Sequence, residues 1–184
     1  MKIETERIPQ NGLSMEHRMQ ANDFEILKLL IAKGEADFTD TIGIKLSILP
    51  CKDLIQVEGS VQARVHITCS RCAESYDAQL HRQFTLSYSR KIPQDLHRDE
   101  TEGIELTAQQ IGLILYQGDE IDLRDALAEQ VVLALPYKPL CCQDCKGLCQ
   151  NCGANLNREV CRCKSNPNGG PFEVLKDLKF PSKG

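Results

Sequence analysis

The chain has 184 residues, a formal net charge of −4 and no tryptophan. That length suits one ordinary domain with an appendage, and the few aromatics leave a core to be filled by aliphatic side chains. The apolar runs are too short to span a bilayer, and the charged start MKIETERIPQ lacks the apolar segment of a signal peptide, so the expected setting is the cytoplasm, with no membrane partner.

The first segment with a pattern is a short strand from Ile3 to Ile8, ending at Pro9 and the Asn11-Gly12 turn signal. Residues 13–22 are polar and carry no clear period. Phe24, Ile26, Leu27, Leu30 and Ile31 have helical spacing, with Asn22 or Asp23 placed to cap the helix and Gly34 to stop it. From Ala36 to Tyr88 the period changes to two. Three alternating runs, Ile42 to Ile48, Ile55 to Ile67 and Tyr76 to Tyr88, predict an antiparallel meander with one wet face. Gly59 falls on the apolar face and marks a bulge or a close approach. Residues 91–106 read as an acidic loop, and Ile111 to Tyr116 as a further strand. Leu123, Ala126, Leu127, Gln130, Val131 and Ala134 then follow helical spacing, with Asp122 as cap and Pro136 as stop. This helix is expected to pack on the sheet and deliver the chain to the cysteines. Near the end, Phe172, Leu175 and Leu178 are spaced for one helical turn docked on the body.

Seven of the ten cysteines lie between residues 141 and 163. In a reducing compartment such spacing points to metal rather than to disulfides. Cys149 and Cys152 form C-x2-C followed at once by Gly153, the shape of a zinc knuckle, and Cys161 and Cys163 add C-x-C. Together they supply the four thiolates of a closed tetrahedral zinc site. Cys69 and Cys72 form a second C-x2-C at the turn between two predicted strands. A hairpin tip brings both sulfurs to one side. A redox C-x2-C more often opens a helix. The second site would join Cys69 and Cys72 to Cys145 and to one of Cys141 or Cys142. Cys141 is preferred because C-x3-C lets both sulfurs turn inward. A competing pairing puts Cys145 in the C-terminal site and leaves Cys69 and Cys72 free. Cys51 remains as a lone, buried thiol. The fold class expected is α+β: an antiparallel β meander with packed helices over residues 1–136, and a cysteine-rich zinc-knuckle lobe with its tail over residues 137–184.

The segments VEGSVQARVHITCSRC, IDLRDALAEQVVLALPYKPLC, CKGLCQNCGANLN with CRC, and PFEVLKDLK resemble the bacterial YceD family, the large ribosomal RNA subunit accumulation proteins. The resemblance spans roughly residues 35–180, and residues 1–34 match no family pattern. It implies a factor needed for synthesis, processing or stability of large-subunit ribosomal RNA. It also places the family's motif cysteines on Cys69, Cys72, Cys141, Cys145, Cys149, Cys152, Cys161 and Cys163, with Cys142 a departure.

The leading expectation is therefore a non-catalytic ribosome-biogenesis factor with two structural zinc ions, touching large-subunit ribosomal RNA or its precursor directly or through a protein. Residues 94–136 are strongly acidic and residues 137–184 are basic. A local excess of this kind can favour phosphate. Arg71, Lys138, Lys146, Arg158, Arg162 and Lys164, all near the proposed metal turns, are the candidate RNA contacts. The alternative is a thiol-redox or metal-responsive regulatory protein. An enzyme is not expected: the ligand sets are all cysteine, and no P-loop, dinucleotide fingerprint, H-E-x-x-H or G-x-S-x-G occurs.

Overall fold

A computed structural model describes residues 1–90 and 112–163. The expectations for 91–106, for Ile111, for Lys164 and for the 172–178 turn lie outside the described residues.

The meander is present. β4 (Ile42–Cys51), β5 (Leu54–Thr68) and β6 (Ser75–Ser89) pair antiparallel in sequence order. β5 pairs with β6 in unbroken register, from Leu54 opposite Ser89 to Thr68 opposite Ser75. Gly59 is therefore not a bulge. It is a dent: a Cβ there would lie 2.6 Å from Phe84 Cζ and 2.7 Å from both Leu46 Cδ2 and the Lys45 carbonyl oxygen. Only glycine lets those cross-strand neighbours close over the strand.

The sheet is larger and more mixed than the alternation indicates. β2 (Leu13–Met19), in the stretch without a readable period, pairs antiparallel with β4 and forms one edge. Its edge position explains the weak pattern, since few of its side chains are enclosed. β3 (Asp37–Phe38) pairs with the far half of β5. β7 (Leu113–Leu115) lies parallel to β6, which turns an antiparallel meander into a mixed sheet. The strand expected at Ile3 to Ile8 is only β1 (Lys2–Glu4), followed by a 3-10 turn. It pairs with β8 (Glu120–Asp122) in a separate two-stranded ribbon.

Two helices cover the apolar face. α1 (Glu25–Ala32) buries Leu27, with Phe24 buried just before its first turn, while Ile26 turns outward. Its expected cap fails. Phe24 precedes the helix, and the Asp23 carboxylate instead accepts from Gln20 N at 2.8 Å, closing a 3-10 turn. At α2 (Arg124–Ala134) the cap position falls on Leu123, one residue beyond the expected Asp122, because the helix starts a residue later; Asp122 Oδ1 still accepts from Arg124 N at 3.0 Å, and the chain leaves the helix before Pro136. Leu123, Leu127 and Val131 enter the main core with Ile42, Ile44, Ile48, Val57 and Val61. Gln130 is also buried, because the apolar stripe of β6 is interrupted by Arg82. The Arg82 Nε donates to Gln130 Oε1 at 3.0 Å.

The apolar face continues along the β5–β6 hairpin beyond the main core. Val65, Ile67 and Leu80 pack with Ala134 and Leu135 at the end of α2. Beyond them Cys69, Cys72 and Cys145 pack with Tyr76 and Leu140. α2 thus delivers the chain to the hairpin tip, where Ser70 N and Oγ both donate to the Pro139 carbonyl, at 2.9 and 3.0 Å. Cys51 departs from expectation. It sits at the exposed β4–β5 turn, where the end of the strand leaves it uncovered.

Candidate metal centres

The two C-x2-C stretches fold into the same turn. At the hairpin tip Cys69 N donates to the Glu74 carbonyl at 2.8 Å and Ala73 N to the Cys69 carbonyl at 3.0 Å. In the lobe Cys149 N donates to the Ala154 carbonyl at 2.8 Å and Gly153 N to the Cys149 carbonyl at 2.9 Å. The residue after the second cysteine is left-handed in both, with φ of 56° at Ala73 and 75° at Gly153. This curl turns amide N–H groups onto the first sulfur: those of Cys72 and Arg71 onto Cys69, and those of Cys152 and Asn151 onto Cys149.

Two groups of four sulfurs result, each with all its Sγ atoms within 4.8 Å of one another: Cys69, Cys72, Cys141 and Cys145, and Cys149, Cys152, Cys161 and Cys163. In the first, Cys69 and Cys145 are 3.8 Å apart and Cys72 and Cys141 3.7 Å. A tetrahedron with metal–sulfur bonds of about 2.3 Å has edges of about 3.8 Å. In the second, Cys152–Cys161 is 3.5 Å and Cys149–Cys161 is 3.3 Å. No pair is bonded: all ten cysteines are free thiols, at separations far beyond the disulfide length. Both groups can therefore hold a metal ion. Cys145 belongs to the first group, which excludes the competing pairing. Cys141 is its fourth member, and Cys142 Sγ stands outside, 4.0 Å from Cys141 Sγ.

The electrostatics suit a cation. Burial works to raise the Cys69 thiol, but the N–H groups of Cys141, Cys72 and Arg71 outweigh it and hold it down to about 6. The N–H groups of Cys152 and Asn151 bring Cys149 to about 6 as well. Burial and the neighbouring sulfurs push Cys141 up, and the adjacent Cys161 sulfur pushes Cys163 up to about 12. Four thiols this close cannot all ionise unless a positive charge sits among them.

The groups differ in exposure. Cys69, Cys72 and Cys145 are 1, 3 and 4% exposed, whereas Cys152 and Cys163 face solvent. The candidate RNA contacts also divide. Arg71 Nη1 donates to the Cys145 carbonyl at 3.0 Å, and Arg158 Nη2 pairs with Glu74 Oε2 at 2.8 Å, so both brace the lobe against the hairpin. Lys138, Lys146 and Arg162 are exposed and make no side-chain hydrogen bond or ion pair among the described residues. Sequence reasoning missed Glu74, Asn155 and Asn157. Asn157 Nδ2 donates to Cys145 Sγ at 3.3 Å, and Asn155 Nδ2 donates to Glu74 Oε1 at 3.2 Å. In sequence the two asparagines look like ordinary turn formers.

The model of the family described as "Large ribosomal RNA subunit accumulation protein YceD" matches residues 57–179, which run from β5 through both cysteine groups. The chain belongs to the YceD family. The YceD match leaves β1 to β4 and α1 outside it. Two plant proteins named as chloroplastic homologs 1 of the large ribosomal RNA subunit accumulation protein YCED are similar. The Arabidopsis thaliana protein is 24% identical over 178 residues, covering 85% of this chain and 56% of its own length. The Zea mays protein is 26% identical over 179 residues, covering 86% and 61%. An uncharacterized protein of Mycobacterium leprae is 29% identical over 115 residues, covering 62% and 49%. The chain thus spans about half to three-fifths of the length of these relatives. No solved structure matches. The YceD name links the family to accumulation of large-subunit ribosomal RNA. No helix among the described residues is long and apolar enough to cross a membrane.

Proposed function

We propose that this chain is a non-catalytic factor in ribosome biogenesis. It supports synthesis, processing or stability of large-subunit (23S) ribosomal RNA in the cytoplasm, and two structural zinc ions hold its lobe, residues 137–184, against the sheet. The observation that carries the zinc reading is the pair of four-sulfur groups with near-tetrahedral spacing. The link to ribosomal RNA rests on membership of the YceD family. All-cysteine sets of four fill the coordination shell and keep no position for a reacting water, which supports a structural role.

A zinc dication held by four thiolates is a net dianion. Loading two of them largely cancels the basic excess of the lobe. The cations at the hairpin tip then act first as local counter-charge, and Arg71 and Arg158 are already committed there. Lys138, Lys146, Arg162 and Lys164 remain as the candidates for phosphate. If they touch ribosomal RNA directly, retention of that RNA on the purified protein falls steeply with salt, because phosphate contacts release counterions. Salt-insensitive retention assigns the contact to a protein partner. The decisive experiment is complementation. Cells lacking the protein are expected to lose mature large-subunit RNA, and the Cys69→Ser variant is expected not to restore it. Full restoration by that variant defeats the structural-zinc reading, and unchanged large-subunit RNA in the deletion defeats the ribosomal one.

A second reading, a metal-responsive or thiol-redox regulator, is favoured by the exposure of Cys152 and Cys163. Alkylation of the zinc-loaded protein separates the two, since closed sites protect their thiols and redox pairs react quickly.

A further inference from the structure

Asn157 stands between the two cysteine groups. By sequence it lies in the loop from Gly153 to Val160, whose flanking residues Cys152 and Cys161 belong to the second group. Its amide, however, serves the first group. Nδ2 donates to Cys145 Sγ at 3.3 Å, and Oδ1 accepts from Lys146 N at 2.7 Å. Asn155 aims that amide: Asn157 N and Nδ2 both donate to Asn155 Oδ1 at 3.0 Å. Asn155 is anchored in turn. Its Nδ2 donates to Glu74 Oε1 at 3.2 Å, and Arg158 Nη2 donates to Glu74 Oε2 at 2.8 Å. Leu156 N donates to the Gly147 carbonyl at 2.9 Å. One short loop therefore holds a sulfur of the first group and both carboxylate oxygens at the hairpin tip, while its own two ends are tied by the second group.

We infer that the two metal sites are coupled, and that Asn157 is the positioning residue that carries the coupling. The inference rests on the reading that both groups bind metal. A metal-bound thiolate keeps surplus negative charge, and an N–H aimed at it neutralises part of that charge and fixes the sulfur's direction. Losing such an outer partner typically costs about 10- to 100-fold in metal affinity. With the second site filled, the 153–160 loop is already ordered and Asn157 is in place. With it empty, the ordering cost falls on the first site. Linkage makes the effect reciprocal: a filled first site strengthens the second by the same factor. The exposure of the two groups gives the coupling a direction in practice. The second group meets solvent and a competing chelator first, and its loss then weakens the buried site that holds the hairpin tip to the lobe. The open site senses metal supply, and the buried one responds.

The test uses the full chain and Co2+ as the probe, read by its thiolate charge-transfer and ligand-field absorption. Cys69→Ser identifies the bands of the second site. Stoichiometry comes first. Two Co2+ per unaltered chain are expected, and a value of one removes the two-site reading and the coupling with it, whereas two ions that bind independently overturn the coupling alone. Cys161→Ser is expected to weaken the first site about tenfold or more, and Asn157→Ala to weaken it by a similar factor. Asn157→Ala is expected to add little in the Cys161→Ser background, where its placement is already lost. An unchanged first site in Cys161→Ser, or two effects that simply multiply, overturns the coupling. Asn157→Asp keeps the acceptor for Lys146 N but removes the donor to sulfur, so it is expected to weaken the first site as alanine does. Unaltered affinity in Asn157→Asp overturns the role given to the N–H bond. Chelator titration of the unaltered protein gives a reading independent of any variant: the first-site bands are expected to shift as the second-site metal leaves. First-site bands that stay fixed until their own metal departs contradict the coupling.

Discussion

Three turn positions around the two four-sulfur groups are left-handed, and they form a graded test of the geometry. Ala73 has φ of 56°, and Gly147 and Gly153 both have 75°. A side chain in that region costs about 1 kcal/mol or more relative to glycine. Ala73→Gly is therefore expected to stabilise the folded, metal-loaded protein by about 1 kcal/mol. Gly153→Ala is expected to cost about 1 kcal/mol and no more, because nothing lies within 4 Å of the new Cβ. Gly147→Ala carries a further penalty. Its Cβ would sit 3.0 Å from the Arg71 carbonyl oxygen, which Leu148 N already engages at 3.1 Å, so neither backbone can retreat freely. The combined cost is expected to be about 2–3 kcal/mol, taking about 1–2 for the forced contact. Urea unfolding at fixed free zinc, followed by circular dichroism, measures all three, and in thermal scans each kcal/mol corresponds to roughly 2–4 °C at this chain length. If Gly147→Ala is no worse than Gly153→Ala, the lobe does not press on the hairpin tip. If Ala73→Gly destabilises, the two turns are not the same turn.

Metal analysis of the purified protein is expected to give two zinc ions per chain, one in Cys69→Ser and two in Cys142→Ser; one zinc in the unaltered protein refutes the two-site arrangement. In the zinc-loaded protein, alkylation followed by mass mapping is expected to label the exposed Cys51 and Cys142 first and the buried Cys69, Cys72 and Cys145 last. The Tyr88 hydroxyl is buried and has no hydrogen-bond partner among the described residues, so Tyr88→Phe is expected to stabilise by about 1 kcal/mol; a loss of that size would reveal a hidden partner. Burial, aided by the charges of Glu129 and Asp122, pushes the Tyr88 phenol up to about 12 from 10.0. Its contribution is complete below the unfolded value and is lost as pH rises through about 12, so the alkaline fall in stability should be smaller in Tyr88→Phe. Gln130→Leu leaves the Arg82 guanidinium without its acceptor and is expected to cost about 2 kcal/mol, whereas pairing it with Arg82→Met should recover most of that loss in the same unfolding assay.

The alternation of Ile42 to Tyr88 carried the meander, because one face of each strand is enclosed and the other is wet. It could not reveal β2, an edge strand with little enclosed surface, or the parallel pairing of β7, which depends on where a distant segment returns. Arg82 breaks the apolar stripe of β6, and only the fold shows Gln130 waiting above it. The cysteine spacing indicated both C-x2-C turns and which cysteines gather in the two four-sulfur groups. The preference for Cys141 over Cys142 came from its C-x3-C spacing to Cys145, and the structure agrees, with Cys142 Sγ outside the group. Cys51 was misread because a thiol outside every motif is usually enclosed, and here it ends β4 beside the exposed two-residue turn to β5. The asparagines stayed silent because hydrogen bonds to a sulfur and to Glu74 leave no period in the chain.

The two knuckles share a backbone, so Cys69–Glu74 and Cys149–Ala154 amount to one six-residue cassette used twice. Transplanting the second into the place of the first would preserve the curl and both sulfurs, and would even replace a disfavoured alanine by glycine. It would also delete Glu74, the one side chain of the cassette to which Asn155 and Arg158 attach. What distinguishes the copies is thus a set of docking side chains, Ser70, Arg71 and Glu74, rather than the curl itself, and a chimera of this kind is expected to keep both four-sulfur groups while loosening the 153–160 loop from the hairpin tip.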